Sequence, residues 1–197
     1  FMTNVNMKSF IDSYQSGLQT AMESVDAETF SSFMEALCTL HKESRRLFVI
    51  GNGGSAATAS HFACDLGKNA VPPGNPRFKV IALTDSIPAI TAYGNDNGYA
   101  SVFAEQLTNL MASGDILLAI SASGNSPNII EAVTLARESG LSVIGMAGFD
   151  GGKLAELSDW AITIPGTTYE QIEDAHMILT HMIVLWFKQH PEALLNS

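Results

Sequence analysis

The segment from Leu47 to Ser55, reading Leu-Phe-Val-Ile-Gly-Asn-Gly-Gly-Ser, limits the possible folds more than any other. Leu47 to Ile50 has strand length and carries two β-branched residues. It breaks into Gly51-Asn52-Gly53-Gly54, and small residues at helical density follow through His61 to Asp65. That order predicts a strand, a glycine loop and a helix start. Glycine admits φ > 0 and lets the backbone approach a ligand closely. The free N–H groups of a new helix favour an anion, and Ser55 adds a hydroxyl at its mouth. His61 and Asp65 lie one turn apart and face the same way. A phosphate cradle beside a His/carboxylate pair is the expectation. Gly51-x-Gly53-x-x-Ala56 also fits a dinucleotide fingerprint. That fingerprint wants an acid about 20 residues on, ending the second strand. Asp85, the acid after the next convincing strand, comes too late, so the sugar-phosphate reading is preferred.

Strands and helices alternate from Leu47 onward. Strands are expected at Leu47–Ile50, Phe78–Leu83, Asp115–Ile120, Ser142–Ala147 and Trp160–Ile164, with helices near 55–68, 99–112, 126–138, 153–157 and 169–188. A run as apolar as Ile116 to Ile120 is buried on both faces. The fold class that follows is α/β: a parallel sheet with helices on both sides and ligands at the carboxyl ends of the strands. Residues 4–45 read as two helices before the sheet. Phe10, Ile11, Tyr14, Leu18, Ala21 and Met22 recur at helical steps in the first. Phe30, Phe33, Met34, Leu37 and Leu40 do so in the second, after an Asp26 N-cap. Their apolar stripes need a partner, in this chain or at a subunit interface.

A second loop repeats the logic of the first. Ile120 ends a strand, and Ser121-Ala122-Ser123-Gly124-Asn125-Ser126-Pro127 leads into a helix with Ser126 as N-cap and Pro127 at its first position. Two such loops at the ends of two strands form an expected phosphate site. Between them, Tyr93-Gly94-Asn95-Asp96-Asn97-Gly98 has turn composition, and its place on the same rim makes Asn95 and Asp96 candidate ligands for sugar hydroxyls. The last helix carries Glu173, Asp174, His176 and His181 within nine residues, a density that points to a shared site. Glu173 and His181 lie about 12 Å apart along the axis. Either Glu173 sits in a frayed first turn or the two serve different subunits.

The remaining composition excludes several classes. A formal charge of -10 over 197 residues lacks the Lys/Arg clusters of a nucleic-acid or anionic-membrane surface. It does not forbid an anionic ligand, which glycine loops and helix N-termini bind without net basic charge. Cys38 and Cys64, both in helical patterns, suggest a reduced, cytoplasmic setting. Neither a signal peptide nor an apolar run of membrane-spanning length is expected.

These residues resemble the sugar isomerase (SIS) domain family and, within it, the phosphoheptose isomerases. The serine loop is general to the family; the glycine loop with His61, together with a His in the last helix, points to the heptose subgroup. The resemblance covers nearly the whole chain, including the Asp150-Gly-Gly-Lys153 turn. It implies one SIS domain over 1–197, with a helical pair in 1–45 and a three-layer, flavodoxin-like core in 46–197 around a five-stranded parallel sheet. It implies homotetramers with active sites at subunit interfaces, and aldose–ketose isomerisation of a sugar phosphate through an enediol. Ser55, Ser121, Ala122, Ser123 and Ser126 would line the phosphate site, and Asn52, Gly53, Gly54, Asn95, Asp96 and Glu173 the rest of the substrate site. His61, Asp65, Glu173 and His181 would form the metal cluster, with zinc as the metal and Asp65 and His181 as the catalytic pair. The family usually has Glu at position 65, Gln at 173 and a small polar residue at 122. Some relatives in this fold instead bind partner proteins, including the bacterial replication initiator, having lost catalytic side chains. His61, His181 and a carboxylate at 65 argue for the enzyme here.

Overall fold

All five apolar runs expected as strands are strands in the computed structural model, which describes residues 6–166 and 168–195. They are β1 (Arg46–Gly51), β2 (Lys79–Ala82), β3 (Ile116–Ser121), β4 (Ser142–Gly148) and β5 (Trp160–Ile164). Every neighbouring pair is parallel, and the order across the sheet is β2-β1-β3-β4-β5. β1 is flanked on one side by β2 and on the other by β3, with Leu47 level with both Val80 and Ile116. The chain reverses direction across the sheet at β1 and β3, and that switch point is where open α/β sheets hold ligands.

Side chains alternate faces along the strands, so β1 to β4 each feed two cores, while β5 feeds one. Leu47, Val49, Ile116, Leu118, Ile144 and Ile162 pack toward α1 (Met7–Glu23), α2 (Ala27–Lys42), α3 (Gly53–Asn69) and α8 (Tyr169–Gln189). Phe48, Ile50, Leu117, Ala119 and Val143 pack on the other face toward α5 (Val102–Leu110), α6 (Pro127–Glu138) and α7 (Gly152–Leu157). Asp26 caps α2 as expected, accepting a hydrogen bond from Thr29 N at 2.7 Å. The expected elements differ from the observed ones mainly at their ends. α3 begins two residues early because Gly53 and Gly54 themselves enter the helix. A 3-10 turn over Tyr99–Ser101 precedes α5. Two helices were not expected, α4 (Ile87–Asp96) and the short α9 (Glu192–Leu195). α4 starts on Ser86, which accepts from Ala89 N, followed by Pro88 in its first turn; it buries none of its residues fully, so no apolar stripe announced it.

His176 on α8 is only 1% exposed. Its Nε2 donates to the Ala147 carbonyl at 3.0 Å, while Nδ1 has no partner among the described residues. Burial pushes its pKa down to about 4 from an ordinary 6.5. The fold therefore holds the neutral ring, and the unfolded chain takes up the proton first. Stability is unaffected above about pH 6.5 and falls as pH drops toward 4, by an amount on the order of 3 kcal/mol at the limit. Denaturant midpoints measured between pH 7.5 and 4.5 will show this loss, and His176→Gln will flatten it. Equal slopes for parent and variant would rule His176 out as the source.

Candidate active site

The glycine loop and the serine loop leave adjacent strands at the switch point and close around one cavity of about 130 Å³. Asn52 and Ser55 line it from the β1 side and Ser121, Ala122, Ser123 and Ser126 from the β3 side, with Tyr169 and Glu173 from α8. Ser55 and Ser121 are buried. Gly53 takes φ +53° as the first residue of α3, a conformation few other residues adopt. A larger hollow of about 740 Å³ runs beside β2. Its one helix start, that of α4, is already closed by the Ser86 hydroxyl.

The helix starts at the smaller cavity are open. Helices α1, α2, α4 and α8 each have an N-cap side chain bonded to their first turn. The N-cap side chains of α3 and α6, Asn52 and Ser126, make no such bond. At α3 the first-turn N–H groups are left to an external acceptor; at α6, where Pro127 has no N–H and Ile129 N donates to Ser126 O, the Asn128 N–H remains. The serine loop is held from behind by the turn after β4. Gly148 N donates to Ala122 O, Leu154 N to Gly124 O and Lys153 N to the Asn125 side chain. Gly124, at φ +62°, lies so close to the Gly151 carbonyl that no Cβ fits between them.

A second group lies further along the same two helices. His61 and Asp65 on α3 and His181 on α8 bring one ligand atom each within 4.8 Å of one another. His61 Nε2 is 2.9 Å from His181 Nε2 and 3.3 Å from Asp65 Oδ2. A hydrogen on His61 Nε2 satisfies both neighbours, since the carboxylate and the His181 lone pair both accept. The opposite tautomer would leave the carboxylate facing a lone pair. Asp65 Oδ1 in turn accepts from the Asn69 amide at 3.1 Å.

Glu173 is not in that group. Its carboxylate fills the space where a side chain at Gly54 would stand, and it lines the anion cavity. Two helical turns separate it from His181, so one chain assembles three of the four implied ligands. Asn95 and Asp96 end α4, exposed and bonded to each other at 2.8 Å, and line neither place. Asn52, expected to face the sugar, has its Oδ1 taken up by Asn128 and Tyr99. Asn69, Tyr99, Asn128 and Tyr169 were not expected. Asn69 follows Asp65 by one helical turn, and Asn128 sits in the first turn after Ser126-Pro127, so spacing alone pointed to both.

The chain is similar to known proteins in both sequence and fold. The family described as SIS domain matches residues 9–148. The phosphoheptose isomerase of Geobacter sulfurreducens is 38% identical over 170 residues, covering 83% of this chain and 86% of that protein. The phosphoheptose isomerase of Aliarcobacter butzleri is 36% identical over 189 residues, covering 92% and 95%. Among solved structures, phosphoheptose isomerase GmhA from Neisseria gonorrhoeae superposes with a TM-score of 0.85 at 31% identity, covering 93% of this chain and all of that one. A phosphoheptose isomerase from Francisella tularensis gives 0.86 at 27% identity, covering 94% and 99%. On the family match, these identities and the shared fold, the chain belongs to the SIS-domain family and, within it, to the phosphoheptose isomerases.

Proposed function

We propose that this protein interconverts a phosphorylated ketose and aldose, sedoheptulose 7-phosphate and glycero-manno-heptose 7-phosphate, through an enediol. The observation that carries this reading is the pairing of two sites on the same two helices. Ser55 and Glu173 face the anion cavity, while His61, Asp65 and His181 meet further along α3 and α8. Ser55 to His61 is about 9 Å along α3, and Ser55 to Asp65 about 15 Å. With single bonds of about 1.5 Å, an extended seven-carbon chain spans on the order of 8 Å before its phosphate is counted. A sugar held by a phosphate on C7 therefore presents C1 and C2 at the histidine pair.

The reaction needs one base to carry a proton between C1 and C2 and a second group to serve O1 and O2. Asp65 takes the carbon proton in this reading, its Oδ1 held by Asn69 and its Oδ2 left beside His61. His181 takes the oxygen protons, its ring meeting His61 and Asp65 in the same cluster. The cavity holds the phosphate with serine hydroxyls and two uncapped helix starts, so binding needs no net positive surface. Two imidazoles and a carboxylate are also a suitable donor set for zinc, with His61, Asp65 and His181 as its holders. When bound, the metal supplies Lewis-acid polarisation of the sugar's carbonyl and hydroxyl oxygens.

The direct test is turnover of sedoheptulose 7-phosphate before and after chelation. The expected result is isomerisation that the chelator reduces and added zinc restores. Phosphate binding without turnover under any metal condition would point to a binding protein instead. Self-association belongs to the same reading. Phe10 and Ile11 on α1 are 60% and 51% exposed, and Met182 and Leu185 on α8 are also exposed, apolar side chains that a second copy of the chain would cover. A homo-oligomer, a tetramer by family, is expected by light scattering; a 21.0 kDa particle at micromolar concentration would refute it.

A further inference from the structure

We propose that Asn128 is a positioning residue that locks the glycine and serine loops at the separation an anion requires, with Tyr99 as its outer support. The proposal rests on the phosphate reading of the cavity. Asn128 is the second residue of α6 and is 2% exposed. Its Nδ2 donates to Asn52 Oδ1 at 2.8 Å, and Asn52 Nδ2 donates back to Asn128 Oδ1 at 2.9 Å. The Tyr99 hydroxyl donates to the same Asn52 oxygen at 3.0 Å. This closed amide pair spans 76 positions of sequence and joins the residues that begin α3 and α6.

Two consequences follow. First, the cavity is divided between the loops, with Ser55 on one and Ser121, Ser123 and Ser126 on the other. One phosphate can use both sets only if their distance is fixed in advance, and fixing it before binding raises affinity. A buried amide left without its partner is costly, so the pair resists opening. Second, asparagine at an N-cap ordinarily bonds its own helix. Asn128 and Tyr99 divert Asn52 from that bond, and the α3 N–H groups stay available to the ligand. The pair thus acts on phosphate affinity through Asn52 while touching none of the reacting atoms at Asp65 or His181.

The test compares the parent with Asn128→Ala and Tyr99→Phe. Inorganic phosphate is titrated by calorimetry, kcat and KM are measured with sedoheptulose 7-phosphate, and melting is followed in parallel. Asn128→Ala is expected to weaken phosphate binding and raise KM about tenfold, with kcat within about twofold of the parent. Tyr99→Phe, which removes one exposed hydroxyl, is expected to change both by about two- to threefold in the same direction. A role in folding alone would lower the melting temperature and leave the phosphate Kd unchanged, which overturns the proposal. A fall in kcat at constant KM overturns it as well. Should Asn128→Ala not fold, unchanged phosphate affinity in Tyr99→Phe overturns it by itself. If the parent binds no phosphate, the cavity has been misread and the functional reading fails separately.

Discussion

Replacing Asp65 with Ala will abolish isomerisation, and replacing it with Glu will preserve or raise it. A general base is worth about 10² to 10⁴ in rate, and position 65 is where this chain departs most consequentially from its family. Aspartate is one methylene shorter than the usual glutamate, and a misplacement of about 1 Å can cost on the order of a hundredfold. Two features compensate. The Asn69 amide holds Oδ1, so the short side chain does not swing, and Oδ2 is kept 3.3 Å from His61. The second carboxylate that could share the work, Glu173, lies two turns away beside Gly54. Turnover of sedoheptulose 7-phosphate by both variants, with metal content measured on each, decides the matter. Parental activity in Asp65→Ala would remove Asp65 as the base and with it the mechanism.

The double replacement of Ser55 and Ser123 by Ala will weaken sugar-phosphate binding by about 10² to 10⁴. Each hydrogen bond to a charged group contributes about 1.5–3 kcal/mol, and 1.4 kcal/mol is tenfold in affinity. The two serines sit on different loops, so their losses should nearly add. Neither caps its helix in this structure, and the fold should tolerate both changes. Calorimetry with the sugar phosphate measures the loss, and circular dichroism checks the fold. Unchanged affinity would place the anion elsewhere.

How much of this was legible in the sequence follows from where the information lies. The three central strands announced themselves because both faces are buried, so Ile116 to Ile120 carries no polar residue. α4 was missed because it buries nothing fully and has no apolar period to read. The two anion loops were legible because glycine, serine and proline have fixed meanings at strand–helix junctions. His61 and Asp65 were legible as a pair, since one helix fixes their spacing. Their meeting with His181 rests on how α8 packs against α3, which spacing within one helix cannot give. The separation of Glu173 from His181 was visible as an eight-residue step, and the structure resolves it by giving each residue a different neighbour. Asn95 and Asp96 were placed on the rim by their position after the second strand. In the structure the residue from that region that reaches the cavity wall is Tyr99, through a hydrogen bond to Asn52.

The turn behind the serine loop has a consequence for how such a protein tolerates change over time. Gly148, Lys153 and Leu154 reach the loop through their main-chain N–H groups. The side chain of Lys153 can therefore drift without altering the loop it braces, whereas that of Asp150 accepts from Gly152 N and helps shape the turn. What cannot drift is backbone shape: Gly124 and Gly151 meet too closely for any side chain at Gly124. A comprehensive substitution survey would record this turn as permissive punctuated by intolerant glycines. The same pattern would let Lys153 be recoloured, tagged or charge-reversed as a handle directly behind the anion site.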